Sequence, residues 1–240
     1  EEYYDVVAGV FSSNPAKSVI NAKEIGVERG YATAAEMIKA EAAREDGVDV
    51  IAIMTPNNSH YEIACLAIEQ GFHVMCEKPL TNDVDEAMDL VRKIQSSDVE
   101  CCVAYAYTGY PMVREAKAII TAGELGEIRM VQCDYVQGHL AELVESEKAG
   151  TNWHMDTEMA GSSLILGDIG THCYHLASFV SGMEPSELSA DIATVVPGRE
   201  VDDYTGILTR YKNNARGSFM ITQAAAGATH GLCLKVYGSK

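Results

Sequence analysis

The chain has 240 residues, 47% of them hydrophobic, with 18 basic against 35 acidic side chains and a formal net charge of -17. That length suits one large or two ordinary domains, and so acidic a balance argues against a nucleic-acid surface or an anionic membrane as partner. An anionic cofactor stays possible, because backbone N–H groups at a helix N-terminus hold phosphate locally.

In chain order, Asp5–Val10 reads as a strand and Pro15 to Gly26 as a helical stretch. A second helix is predicted from Ala34 to about Glu45, ending before Gly47, and Val48–Ile53 is a continuous apolar strand. Ser59–Glu69 is helical and stops at Gly71; His73–Cys76 is the next strand. Asp83 to about Ser96 is a long helix, with Thr81 or Asn82 available as its cap, and Val99–Ala104 is strand again. Strands and helices alternating at this spacing mean βαβ units and a parallel sheet. The pattern changes near Tyr107. One more helix, Pro111–Ala122, is followed by predicted strands at Glu127–Val136, Ser186–Val195, Tyr204–Tyr211, Ala215–Thr222 and Leu232–Tyr237. Lys212-Asn213-Asn214 reads as a hairpin turn, and one helix, Asp168–Ser181, interrupts the strands. The expected fold is α/β: a parallel-sheet domain over residues 1–105, then an α+β domain with a mostly antiparallel open sheet over 106–240. Residues 137–163 read as an irregular polar segment, long enough to be a functional loop.

No run approaches the ~18 apolar residues of a membrane helix, and no basic-then-apolar leader opens the sequence. Seven cysteines, an odd number without a C-x-x-C pair, sit mostly in apolar contexts. Reduced thiols and a cytoplasmic location are the expectation.

Three segments carry chemistry. Thr55-Pro56-Asn57-Asn58-Ser59-His60 is a strand-to-helix turn, with Ser59 or Asn58 as the helix cap. Its polar groups either contact a ligand or serve the turn alone. Glu77-Lys78-Pro79 ends another strand; the proline keeps Lys78 extended, at the sheet edge where open α/β folds bind ligands. The bland alternative is a loop lysine or one paired with Glu77. In the third segment, Gly167-Asp168-Ile169-Gly170-Thr171-His172-Cys173-Tyr174-His175, the spacing lets Asp168, His172 and His175 share one helix face. Asp168 is expected near the helix start, where the macrodipole favours its charge. A lysine, an aspartate and a histidine together suit proton transfer at a substrate hydroxyl. The same helix also offers one carboxylate and two imidazoles to a metal, as a hydrolase or lyase would need. The expectation is no metal, since one helix seldom supplies a whole site and no outside ligand stands out. His175 is expected simply to pack.

At these residues the chain resembles the Gfo/Idh/MocA family of NAD(P)-dependent oxidoreductases, which includes glucose–fructose oxidoreductase and inositol dehydrogenases. The matching motifs are Thr55-Pro56-Asn57 with His60, Glu77-Lys78-Pro79, and Gly167-Asp168-Ile169-Gly170-x-His172, in family order. Tyr107-Thr108-Gly109-Tyr110-Pro111-Met112-Val113-Arg114 and Gly123-Glu124-Leu125-Gly126-Glu127-Ile128 extend the match. The resemblance implies a Rossmann domain followed by an α/β domain whose open sheet makes a homo-oligomer, dimer or tetramer. It implies hydride transfer between a nicotinamide and a sugar, polyol or related carbonyl. Lys78, Asp168 and His172 become the catalytic residues. Thr55, Pro56, Asn57, His60, Glu77, Lys78 and Pro79 line the cofactor side. Lys78, Asp168 and His172 face substrate as well, joined by Tyr107 and by Trp153, which either stacks on a sugar or anchors its loop.

The family's first strand and G-x-G-x-x-G turn do not occur in this sequence, and it stops before the family's last strands. A segment of a longer polypeptide is therefore expected. Either NAD or NADP fits as cofactor; Ser12 and Ser13, with Lys17 downstream, tilt the expectation to the 2′-phosphate of NADP. A non-catalytic dinucleotide sensor on the same fold is the alternative function.

Overall fold

A computed structural model describes residues 4–148 and 150–240. The chain forms two compact units. Among the described residues, one comprises those up to Thr55 and residues 59–104; the other comprises Pro56–Asn58 and those from Tyr105 onward.

In the first unit, β1 (Ala8–Gly9) runs into α1 (Pro15–Glu24) and then β2 (Arg29–Gly30). α2 (Ala34–Ala42), β3 (Val50–Ile53), α3 (His60–Glu69), β4 (His73–Cys76), α4 (Val84–Gln95) and β5 (Cys101–Val103) follow. All strand pairs are parallel: β1 with β2, and β3–β4–β5 in that order. The parallel alternation expected from sequence is present, in two separate pieces. β2 is new, and the strand expected over residues 5–10 shortens to Ala8–Gly9. The region around β2 is held by side chains: the Arg29 guanidinium grips the fully buried Glu41 carboxylate at 2.8 Å and 3.0 Å, and Tyr31 donates to the same carboxylate at 2.6 Å. α2 ends at Ala42, short of the expected Glu45. The core is Ile38, Ile51, Ile53, Ala64, Ala67, Ile68, Val74 and Leu90, the apolar faces of α2–α4 against the strands.

Two caps differ from the expectation. Asp83 caps α4, its Oδ1 accepting the amides of Asp85 and Glu86, while Thr81 donates to the Asp83 carbonyl. At α3 the chain enters through a 3₁₀ turn, Asn57–Ser59, and the Ser59 hydroxyl donates to Thr55 Oγ1 at 2.6 Å.

The second unit opens with a 3₁₀ turn, Ala106–Gly109, and α5 (Pro111–Thr121), then β6 (Met130–Val136). Residues 137–163 are less irregular than expected: they hold α6 (Glu145–Lys148), a 3₁₀ turn at Trp153–Met155, and α7 (Thr157–Ala160). α8 (Thr171–Ser181) and strands β7 (Pro185–Ala193), β8 (Tyr204–Tyr211), β9 (Arg216–Thr222) and β10 (Gly231–Tyr237) complete it. The five strands form one sheet in the order β10-β6-β9-β8-β7, antiparallel except for β6–β9. α8 covers one face, burying Cys173, Leu176, Ala177 and Val180 with Val131, Cys133, Tyr135, Phe219 and Ile221. Between β8 and β9 the expected hairpin turn is present, with Asn214 at φ +67° taking the left-handed conformation that asparagine tolerates.

The helix expected over 168–181 begins earlier and is not regular. Helical residues run from Leu164, and Leu166–Gly170 form a π turn that continues into α8. Asp202 fixes the start: its carboxylate accepts the amides of Leu164 and Ile165 and the Ser163 hydroxyl. Asp168 therefore lies in the second turn rather than at the N-terminus, and the dipole argument for its charge does not apply. Next in sequence, buried Asp203 accepts the amides of Val195 and Val196 and pairs with buried Arg199 at 2.9 Å. Arg199 also grips Glu147 at 2.8 Å and 3.1 Å, tying the 137–163 segment down.

Candidate functional site

In the first unit the sites expected from sequence gather at the carboxyl ends of β3 and β4. β3 and β4 stop level, Ile53 beside Cys76, and the Glu77 amide donates to the Ile53 carbonyl at 2.9 Å. Two turns therefore leave the sheet side by side, one carrying Thr55 and the other Glu77, Lys78 and Pro79. His60, fully buried on the first turn of α3, joins them. Its Nδ1 lies 2.9 Å from the Pro79 carbonyl oxygen and its Nε2 2.9 Å from that of Thr55. The imidazole is therefore a brace between the two turns. Lys78 is half-buried, and its amide donates to Glu77 Oε2 at 3.2 Å. Ser12 lies in the turn between β1 and α1, its Oγ accepting the Asn14 amide at 3.1 Å. The Asn14 side chain in turn caps α1.

The second unit holds the other group. Pro56 and Asn57 belong with it; Asn57 is buried and donates to the Ala160 carbonyl at 2.9 Å. Asp168 and His172 rise from the π turn and from the first turn of α8. The Tyr107 ring meets His172 edge-on with centroids 4.7 Å apart, and Tyr105 meets it at 5.8 Å. His175 stacks on Tyr105 at 4.0 Å, with Phe179 beyond it, so the packing role expected for it holds. Burial, with Lys117 nearby, lowers the His175 pKa below its ordinary value. Trp153 stacks on the neighbouring His154 ring at 3.7 Å, in a turn capped by Asn152.

Asp168 is held by a residue that sequence reasoning missed. Gln223, 1% exposed, donates from Nε2 to Asp168 Oδ2 at 2.7 Å. Gln137 Oε1 lies 3.2 Å from the same nitrogen, and Gln137 Nε2 lies 3.0 Å from His230 Nδ1. His230 Nε2 is 2.8 Å from the hydroxyls of both Tyr107 and Tyr135, which are 2.6 Å apart. Burial and the adjacent Tyr107 hydroxyl push the Tyr135 phenol well above its usual pKa. These residues meet because β6 and β9 run parallel with Val136 beside Thr222, which leaves residues 137 and 223 at the same sheet end. The Gln137 amide bonds Thr222 O and its carbonyl accepts from Ala225 N, both at 2.9 Å. Gly138 permits that approach, since a Cβ there would lie 2.3 Å from the Ala225 carbonyl oxygen. Two glutamines, each directly after a strand, were the only local signal.

Residues 2–105 match the family description "Oxidoreductase family, NAD-binding Rossmann fold", and residues 113–240 match "GFO/IDH/MocA C-terminal domain". The chain is 33% identical to the uncharacterized oxidoreductase YfiI of Bacillus subtilis (strain 168), over 99% of this chain and 62% of that protein. It is 27% identical to levoglucosan dehydrogenase of Pseudarthrobacter phenanthrenivorans, over 96% of this chain and 62% of that one. Among solved structures, the inositol dehydrogenase homolog from Azotobacter vinelandii complexed with NADH and myo-inositol superposes with a TM-score of 0.90. It is 32% identical, covering 98% of this chain and 61% of that one. The chain thus spans about three fifths of the length of the relatives it matches. With both family descriptions matched in order, and a Rossmann-type parallel unit preceding a mostly antiparallel sheet, the chain belongs to the Gfo/Idh/MocA oxidoreductase family.

Proposed function

We propose that the protein carrying this chain is a nicotinamide-dependent dehydrogenase that oxidises a secondary hydroxyl of a sugar or polyol, or reduces the matching carbonyl. The observation that carries this is Asp168 and His172 set beside a hydroxyl-rich cluster, in a chain whose other unit has the NAD-binding fold and carries Lys78 in the turn that follows β4. His172 takes the hydroxyl proton. Lys78 polarises the same oxygen and stabilises the charge that develops on it. Asp168, held by Gln223, orients the substrate. Tyr107 and Trp153 contribute contacts to it.

The residues present fit the two ribose ends of a dinucleotide. Ser12 accepts the Asn14 amide and so keeps its own proton to give, and the exposed Lys17 follows it on α1. That pair would hold a ribose 2′-phosphate, which favours NADP over NAD. Thr55, Pro56, Asn57, His60 and Pro79 shape the cofactor edge, and Glu77 would accept from the nicotinamide ribose. A bound nicotinamide would supply the acceptor for the hydride leaving the substrate carbon.

Homo-oligomerisation through the sheet of the second unit belongs to the same proposal. The face away from α8 exposes Met130, Leu208, Met220 and Tyr237 on adjacent strands. Leu208→Asp is expected to reduce the mass found by light scattering.

The test mixes the full-length protein with NAD⁺ or NADP⁺ and a panel of sugars and polyols, following absorbance of the reduced nicotinamide. Turnover that Lys78→Ala lowers by at least about a hundredfold supports the proposal. Cofactor binding with no turnover across the panel counts for a sensor instead.

A further inference from the structure

The polar chain that ends at Asp168 has a direction, and each step follows from which atoms can donate. An ionised carboxylate only accepts, so the Gln223 group 2.7 Å from Asp168 is its nitrogen. The second proton of that nitrogen goes to Gln137 Oε1. Gln137 therefore turns its own nitrogen to His230 Nδ1, and an amide nitrogen only donates. Nδ1 must be bare, and the ring proton sits on Nε2. The Tyr135 hydroxyl also lies 3.4 Å from Nδ1, but the single lone pair of that nitrogen already takes the Gln137 N–H at 3.0 Å. Neither tyrosine then donates to His230, and both hydroxyl oxygens, at 2.8 Å, receive from its Nε2. Tyr135 is 2% exposed, and a buried hydroxyl seldom leaves its proton unused. The acceptor within its reach is the Tyr107 oxygen at 2.6 Å. Tyr107 thus accepts inside the network and has no acceptor left there for its own proton. Its ring lies edge-on to His172 at 4.7 Å.

We infer that Tyr107 is a specificity-determining hydrogen-bond donor. Its proton is turned out of the network by a one-way relay from Asp168 through Gln223, Gln137, His230 and Tyr135. It gives that proton to a second oxygen of the substrate, next to the carbon that His172 serves. The preferred substrate carries an acceptor oxygen beside the reacting carbinol, as vicinal diols and polyols do. Simple secondary alcohols lose this contact. Gln137 and Gln223 touch no substrate; they are positioning residues that set which way the protons point. The inference rests on the dehydrogenase reading for its substrate but not for its proton order.

The experiment has two arms. Nitrogen-15 NMR of histidine-labelled protein at pH 8, without cofactor or substrate, reads the His230 tautomer, assigned by loss of the signal in His230→Gln. A bare Nδ1 with a protonated Nε2 is expected. Gln137→Glu, which replaces the donor by an acceptor, is expected to move the proton to Nδ1. A wild-type ring protonated at Nδ1, or averaged between tautomers as in free imidazole, overturns the relay whether or not the protein turns over any substrate. In the second arm Tyr107→Phe is compared on a turned-over polyol and on its analogue lacking the neighbouring hydroxyl. KM for the polyol is expected to rise about tenfold, with the analogue nearly unaffected and kcat changed less than KM. Equal effects on both substrates, or none on either, overturn the specificity role even where the tautomer is as expected.

Discussion

Around the predicted site residues, the two units hold their polar side chains in different ways. In the first, side chains mostly bind nearby backbone: His60 the carbonyls of Thr55 and Pro79, Ser18 the carbonyl of Tyr31, Asp83 the amides that follow it. In the second, side chains bind one another across the sequence: Gln223 to Asp168, Gln223 to Gln137, Gln137 to His230, Tyr107 to His230. A βαβ unit brings its turns to one sheet edge by local geometry, so its polar groups need only brace those turns. An open sheet under a single helix collects residues from distant strands, and its polar groups can satisfy each other only there.

Four substitutions separate these two ways of holding polar groups, the largest effect first. Arg199→Ala should be the most damaging, because it leaves the carboxylates of Asp203 and Glu147 buried without their shared partner. A loss of about 3–5 kcal/mol is expected from denaturant midpoints. His60→Ala comes next. It removes the brace between the two turns of the first unit and leaves one carbonyl oxygen without its N–H donor, for about 2 kcal/mol by the same measurement. An equal or larger loss than for Arg199→Ala would mean that the turn brace of the first unit carries as much stability as the buried ion pairs of the second.

Two further tests use pH. The Arg29 guanidinium bonded to Glu41 holds that carboxyl below its usual 4.5. A depressed folded-state value means the unfolded chain takes the proton first. The stabilisation is therefore complete above pH 4.5 and drains as pH falls through the lower folded value. Glu41→Gln should flatten the acid limb of stability against pH. His175 gives the smallest change, in a window nearer neutrality. Its folded value lies below 6.5, so the unfolded chain again binds the proton first, and stability falls as pH drops below 6.5. His175→Phe should remove that slope while keeping the stack on Tyr105.

How much of this was legible in the sequence follows the same division. Lys78 could be placed at a strand end because Pro79 and the run before it are local signals, and the alternation of β6 and β9 was readable one strand at a time. The Asp168–His172 spacing was readable too, but not the π turn, since the acid that caps that helix, Asp202, lies about 40 residues downstream of Ser163. Gln137, Gln223 and His230 were invisible for a related reason. Each looks like an ordinary polar residue at a strand end; the parallel pairing of β6 with β9 makes neighbours of the two glutamines, 86 residues apart, and the antiparallel pairing of β10 with β6 brings in His230. β2 was missed because two residues carry no periodicity at all.

The π turn sets the phase of everything after it. Over its five residues the backbone winds more slowly than an α-helix, so one residue is accommodated without advancing the face that meets the sheet. Were the same residues wound as a regular α-helix, the part on one side of the turn would be rotated by about 100° relative to the other. Asp202 clamps the upstream side and the apolar face of α8 the downstream side, so neither could follow. The winding of this short segment therefore works as an angular setting: it decides that Asp168 faces Gln223 while His172, one turn on, faces Tyr107.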